Sequence, residues 1–303
     1  MIDTHTHIYL QEFDEDRRAV IDRAEKSGIT RMILPNVDVE TVGALRQTLN
    51  DYSSLCKGAM GLHPTSINQD YKRDLSCIEA ELDRGEYCAV GEIGMDLYWD
   101  KTFLREQIDA FTSQVRWSCN KKIPVIIHCR DAFDETVAAL KSLSSLSLTG
   151  VFHSFGGTPD QVKIIRELGD FYFGINGVVT FKNARLDETI REIGVDRVLL
   201  ETDAPYLAPV PFRGKRYPGV GNSGFRRRLF DRFGNFNTAL GRSGANPMGG
   251  EEKDFFMRVR AQGIRYYYVP GAEIYHITPA SKLTRAYFER LTRMIGVSER
   301  VRT

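Results

Sequence analysis

The strongest constraint on the fold is an alternation that repeats from residue 2 to residue 203. Apolar runs of strand length alternate with stretches whose apolar residues recur at helical spacing. The predicted strands are Ile2–Ile8, Arg31–Pro35, Cys56–Leu62, Tyr87–Ile93, Pro124–His128, Thr149–His153, Phe171–Ile175 and Arg197–Asp203. The predicted helices between them are Glu12–Ser27, Thr41–Leu49, Asp74–Arg84, Thr102–Asn120, Asp134–Leu143, Pro159–Leu168 and Arg185–Ile193. A helix after each strand returns the chain to the same end of the sheet, so successive strands run parallel. Eight such strands, apolar on both faces, fit a closed (β/α)8 TIM-type barrel in the α/β class. A doubly wound open sheet would place a glycine-rich phosphate turn after the first strand, and none is present there.

On a barrel, the polar residues at the carboxyl ends of strands become informative, because that end assembles the chemistry. His5 and His7 form His-x-His, whose side chains share one face of a strand and can converge on one point. Glu92, His128, His153 and Asp203 are expected at the ends of strands four, five, six and eight. Each could stand alone as a satisfied core histidine or a capping carboxylate. Six of them at equivalent ends of five strands point instead to a metal site. Alternation turns Cys129 and Phe152 toward the helices if His128 and His153 face the barrel mouth. Four imidazoles and two carboxylates exceed the needs of one tetrahedral ion and suit two, with Glu92 as the bridge. Two ions activate a water and stabilise a phosphoryl group in displacement, and Asp203 is placed to orient or deprotonate that water. Metal-assisted hydrolysis, with Asp203 and Glu92 as catalytic residues, is the expected reaction class.

Composition narrows the setting. With 42% hydrophobic and 27% charged residues and a net charge of +1, the chain is an ordinary globular protein without a global attraction to nucleic acid. The five cysteines (Cys56, Cys77, Cys88, Cys119 and Cys129) include no Cys-x-x-Cys pair, which fits reduced thiols. No basic-then-apolar leader opens the sequence and no apolar run is long enough to span a bilayer. A cytoplasmic protein without membrane association is expected.

Six motifs carry a family resemblance. They are Asp3-Thr4-His5-Thr6-His7, Gly61-Leu62-His63-Pro64, Gly91-Glu92-Ile93-Gly94-Met95-Asp96, Ile127-His128-Cys129-Arg130-Asp131-Ala132, His153-Ser154-Phe155 and Glu201-Thr202-Asp203-Ala204-Pro205-Tyr206-Leu207. Residues 1–216 resemble the TatD family, metal-dependent deoxyribonucleases among the amidohydrolase-like barrels. The resemblance implies His5, His7, Glu92 and Asp203 around one ion and Glu92, His128 and His153 around a second. It implies His63, Asp96 and Glu201 beside the substrate or behind the ligands, and extends to Arg213 in Pro209–Arg216. Phe212 departs from that pattern, standing where histidine is commoner in the family. DNA as substrate and magnesium, manganese or zinc as the ions are likewise what the resemblance implies. Related barrels hydrolyse small esters and amides with similar ligands, which is the alternative expectation.

After the eighth strand the pattern breaks. Residues 217–303 resemble the end of a family 2 glycosyltransferase, an α+β tail, in Gly221–Arg227, Gly249–Phe256 and Tyr268–His276. That family places its catalytic base after Gly-Gly, at Glu251 or Glu252 here, and a histidine like His276 near the donor. The nucleotide-binding half is missing, and Asp14-Glu15-Asp16 reads as an acidic helix start rather than a metal site. No nucleotide-sugar binding is therefore expected from the tail, and a fusion of two unrelated pieces, active or inactive, is the simplest account. The barrel then lacks its own eighth helix, since residues 204–220 are rich in Pro and Gly. Leu283–Met294 or Phe225–Phe233 would have to cover that face, which otherwise stays exposed. Arg213–Arg232 is strongly basic, as a solvated loop or as a stripe for a phosphate backbone.

Overall fold

The computed structural model describes residues 1–210, 227–237 and 251–260. Contacts divide the chain into two units, Met1–Arg213 and Gly214–Thr303. In the first, eight parallel strands lie in chain order: β1 (Ile2–Asp3), β2 (Arg31–Pro35), β3 (Cys56–Met60), β4 (Ala89–Asp96), β5 (Val125–Arg130), β6 (Thr149–Phe152), β7 (Asp170–Ile175) and β8 (Val198–Leu200). The connecting helices are α1 (Arg17–Lys26), α2 (Val42–Asp51), α3 (Tyr71–Arg84), α4 (Leu104–Lys121), α5 (Phe133–Ser142), α6 (Pro159–Leu168) and α7 (Asp187–Ile193). Just past the ends of β1 and β8, Thr4 N donates to Leu200 O at 3.0 Å, Asp203 N to His5 O at 2.8 Å and His7 N to Ala204 O at 2.8 Å. Those bonds bring the last strand against the first and make the sheet a nearly closed barrel.

Two apolar layers follow from strand alternation. Ala59, Ala89, Ile126 and Val151 pack together with Ile33, Tyr172 and Leu199 inside the barrel. Residues of the opposite parity, such as Leu34, Val90, Ile127 and Phe152, join the helices in the larger outer core. α3 shows the stripe most clearly: Tyr71, Leu75, Ile78 and Leu82 are spaced four, three and four apart and all are buried. A fully buried side chain of this kind contributes about 1.5–3 kcal/mol, so the outer layer carries most of the apolar stabilisation. The inner layer acts as a floor: Ile126 lies two residues before His128, and Val151 two before His153.

Several boundaries differ from the sequence expectation, for local reasons. The first strand stops at Asp3, because the His5 amide turns back to Asp3 Oδ1 at 3.3 Å instead of joining a ladder. The first helix is split into a 3-10 turn, Gln11–Phe13, and α1. Between them the Arg17 guanidinium gathers the carbonyls of Ile8, Tyr9 and Leu10 at 2.8, 3.1 and 3.2 Å. Glu92 is not at a strand end: β4 runs on to Asp96, and its register with β5 slips by one residue between Val90 and Ile93. One extra residue in a strand is a β-bulge, which bends the strand and re-aims a side chain.

In the second unit, α8 (Arg228–Phe233) and α9 (Glu251–Arg260) are described, and Glu251 and Glu252 begin α9. Phe230 stacks on Phe255 with ring centroids 4.9 Å apart, and Arg258 Nη2 donates to Asn235 O at 2.8 Å. Arg213–Arg216, His276 and Leu283–Met294 lie outside the described residues. Among the described residues, no helix is long and apolar enough to cross a membrane.

Candidate metal centre

The structure gathers all six expected ligands at one end of the barrel. His5 Nε2 and His7 Nε2 are 3.1 Å apart. Glu92 Oε2 lies 3.1 and 3.6 Å from these two nitrogens, and Asp203 Oδ1 lies 3.8 and 3.5 Å from them. Four donors around an ion at about 2.1 Å have edges of about 3.4 Å, so this set fits a divalent ion in size and in chemistry. A second set surrounds the other oxygen. Glu92 Oε1 faces His128 Nδ1 at 2.9 Å, His153 Nε2 at 3.2 Å and His63 Nε2 at 3.4 Å.

Partners behind these donors fix their orientation. His7 Nδ1 meets the Tyr9 hydroxyl at 3.2 Å, and that hydroxyl donates to Pro35 O at 2.6 Å. His128 Nε2 is 3.0 Å from Asp96 Oδ2, and His153 Nδ1 is 3.3 Å from Glu201 Oε1. An imidazole whose second nitrogen is held by a carboxylate or hydroxyl has its tautomer and ring plane set, as metal ligands require. His5 Nδ1 and His153 Nδ1 are both buried without a hydrogen bond of good geometry, and Glu201 faces His153 as an ion pair. Backbone strain concentrates here too: Asp131, Ser154 and Asp203 adopt φ of 52°, 48° and 55° just past β5, β6 and β8. Residues other than glycine enter this region at a cost and cluster where a side chain must be aimed.

Charge balance tells the same story. Burial works to raise the Glu92 carboxyl, but the imidazoles of His153, His5 and His63 and the His128 hydrogen bond hold it well below its usual range. Asp203 is likewise lowered, burial being outweighed by His7, His153 and His5. Burial works to strip the proton from His153, yet Glu92, Glu201 and Asp203 push its pKa up to about 10. On His5, burial and the neighbouring His153 charge lower it. A buried pocket of carboxylates thus demands positive charge, which an imidazolium or a bound cation would supply.

Among residues expected at the substrate side, Asp96 and Glu201 stand behind His128 and His153 as described. His63 is brought into the centre itself, grouping with Glu92 and His128, whereas His153 groups with His5 and Glu92. His63 Nδ1 accepts from Thr65 N at 3.2 Å and meets Thr65 Oγ1 at 2.7 Å, which leaves Nε2 aimed inward. Arg213 lies outside the described residues. Cys129 is turned to α5, its sulfur 3.5 Å from Thr136 Oγ1, and Phe152 packs in the outer core. Sequence reasoning assigned no role to Asp3, Tyr9 or Asn176. Asp3 accepts from Thr202 N at 3.0 Å and Thr202 Oγ1 at 2.7 Å, tying the first strand to the last. Asn176 Nδ2 donates to Ser154 Oγ at 2.8 Å, beside Glu201. The signal was weak: an acidic residue two before His5 and a Thr two after Leu200 make sense only once the ends meet.

An eight-stranded parallel barrel with imidazoles and carboxylates converging over one end has the architecture of a metal-dependent hydrolase. Comparison with known proteins agrees. The family described as TatD related DNase matches residues 2–219, and the chain belongs to that family. The metal-dependent hydrolase YabD of Bacillus subtilis is 34% identical over 217 residues, covering 71% of this chain and 84% of that protein. The metal-dependent hydrolase YjjV of Escherichia coli is 31% identical over 217 residues, covering 71% and 83%. The crystal structure of YjjV, a TatD homolog, superposes with a TM-score of 0.65 at 29% identity over 71% of this chain and 83% of that one. A TatD family hydrolase from Entamoeba histolytica shares the fold, with a TM-score of 0.58 at 22% identity over 68% and 74% of the two chains.

Proposed function

We propose that this metal-dependent hydrolase is a deoxyribonuclease that cleaves phosphodiester bonds of DNA with two divalent ions. The observation that carries the reading is Glu92, whose two oxygens face two different sets of imidazoles. Mixed imidazole and carboxylate donors suit zinc and, through the carboxylates, manganese, while magnesium, which prefers oxygen ligands, rests on the family resemblance. His5, His7, Glu92 and Asp203 would hold one ion, and Glu92, His128 and His153, with His63 beside them, the other. When bound, such a pair supplies a water of lowered pKa and neutralises charge on a phosphoryl group. The rest falls to the chain's own groups. The Asp203 carboxylate orients the attacking water and accepts its proton; Asp96 and Glu201 hold His128 and His153 in place. The inward Nε2 of His63 donates to a phosphate oxygen, and Arg213 binds the strand.

Five free thiols fit a cytoplasmic location. For residues 217–303 the proposed reading is a piece of a family 2 glycosyltransferase without transferase activity, since the residues before it, 2–219, match the hydrolase family instead. The test is a cleavage assay on end-labelled single- and double-stranded DNA with magnesium, manganese and zinc in turn. Cleavage by the parent that disappears in His128→Ala is expected. No cleavage with any of the ions, or undiminished cleavage in His128→Ala, would sink the proposal. Hydrolysis of a lactone or small ester in place of DNA would point to the small-substrate alternative.

A further inference from the structure

Resting on the DNA reading, we propose that Trp99 and the pocket beside it bind a nucleobase of the substrate strand by stacking, next to the metal centre. The segment that follows β4 carries two adjacent large aromatic side chains in solvent, Tyr98 at 52% and Trp99 at 71% exposure. The backbone beneath them is anchored. Asp96 Oδ1 accepts from Tyr98 N at 3.0 Å and Trp99 N at 3.4 Å, while Leu97 is buried and its amide donates to Arg130 O at 2.9 Å. The Arg130 guanidinium lies over the Tyr98 ring, 3.7 Å from its centroid, and 5.3 Å from that of Trp99. Tyr98 meets Trp99 edge to face, with centroids 4.8 Å apart. An exposed Trp braced from below and from one side has little rotamer freedom left to lose on stacking.

Trp99 also lines a pocket of about 270 Å³, with Pro64, Ile67 and Phe103 as apolar walls and Asp96 and Asp100 as polar ones. Small-molecule pockets start at about 300 Å³, so this one suits a single planar ring system rather than a whole nucleotide. Two carboxylates on its wall repel a phosphate and favour a neutral ring bearing N–H donors, while the Arg130 guanidinium sits outside it. The Asp96 side chain forms part of this wall and also holds His128 through its other oxygen at 3.0 Å. A base seated here therefore belongs to a nucleotide beside the scissile phosphate. Stacking on an aromatic side chain is sequence-tolerant, because every base has a π face.

The chain contains two tryptophans, Trp99 and Trp117, so the full-length Trp117→Phe variant reports on Trp99 alone. It is mixed in a stopped-flow fluorimeter, with magnesium, against a short single-stranded oligodeoxynucleotide or an abasic strand of equal length. The expected result is quenching by the base-bearing strand at about ten- to hundredfold lower concentration than by the abasic one. Should Trp117→Phe fold poorly, Trp99→Phe in the otherwise natural chain must lose the same quench. In cleavage assays, Trp99→Ala should raise KM for the base-bearing strand and leave that for the abasic strand unchanged. Equal quenching by both strands, or none, overturns the proposal. DNA cleavage without this discrimination removes the stacking site and keeps the deoxyribonuclease; discrimination without cleavage by any ion does the reverse.

Discussion

Glu92→Gln isolates the side chain on which both donor sets depend. The substitution keeps the shape and removes the charge at a carboxyl whose oxygens approach five imidazole nitrogens: at 3.1 and 3.6 Å on one side, and at 2.9, 3.2 and 3.4 Å on the other. An ion present at about 100 times its Kd stabilises the fold by about 2.7 kcal/mol, or about 5 kcal/mol for two sites. For a unit of this size that is about 10–20 °C in Tm. Loss of a partner behind a ligand weakens metal binding about 10–100-fold, and loss of a ligand charge should do at least as much. At a 100-fold weaker affinity the same ion concentration only half-fills each site, leaving about 0.4 kcal/mol per site and about 2–3 °C in all. The assay is thermal unfolding of parent and variant, each with and without the ion, so that any change in metal-free stability cancels. His7→Gln, which touches one set only, should retain about half of the metal-induced shift. A Glu92→Gln protein that keeps the full parental shift would refute the bridging role.

Three further outcomes follow from the geometry. Asp96→Asn removes the carboxylate behind His128 Nε2, and calorimetric titration should show metal affinity reduced about 10–100-fold with the fold intact; unchanged affinity would show that His128 needs no orienting partner. Gly94 has φ of +145°, and a Cβ there would run into the carbonyl oxygen of His128. Gly94→Ala should therefore destabilise by about 3 kcal/mol or more in urea unfolding, and a loss below about 1 kcal/mol would mean that β4 and β5 can part freely. Burial pushes the Cys56 thiol up to about 12 from its ordinary 9.0. A raised pKa means that the folded protein holds the proton more tightly, so this contribution is complete below pH 9.0 and is lost as pH rises toward about 12. Cys56→Ala should lose less stability than the parent across that window, and at pH 8 iodoacetamide should label exposed Cys77 and spare Cys56, read by mass spectrometry.

The parts of the molecule that obey short-range periodicity were legible in the sequence. Ile126 and His128, or Val151 and His153, share a strand face by spacing alone, so a floor of apolar side chains under a rim of imidazoles could be foreseen. Spacing puts Glu92 at the mouth as a strand-end residue, but its position has another cause. It lies inside β4, and a bulge opposite Val125–Ile127 marks the step in register beside it. A one-residue slip leaves no trace in the pattern of apolar residues around it. His63 entered the centre because Thr65 holds one nitrogen and turns the other inward, a rotamer effect that motif spacing does not encode. The shortening of β1 came from the Asp3 carboxylate competing for the His5 amide. Such bonds between side chain and backbone decide local structure without altering hydropathy.

The ends of the barrel meet through the same residues that form the first donor set. β1 and β8 have two and three residues, too few for an extended ladder. The seam instead depends on the Asp203 amide bonding to His5 O, the His7 amide to Ala204 O, and the Asp3 carboxylate to Thr202. An ion held between His5, His7 and Asp203 would cross-link the two sides of that seam, so opening it would also disrupt the ion's ligand set. Hydrogen exchange measures this directly. At about 100 times Kd, the amides of His7 and Asp203 should gain up to about 100-fold protection, because each opening must first release the ion. Amides in the β5–β6 ladder open by routes that leave the seam closed and should gain less. Equal exchange at His7 and Asp203 with and without saturating ion would mean that the seam opens with the site intact, and that barrel closure and ligand placement are separate events after all.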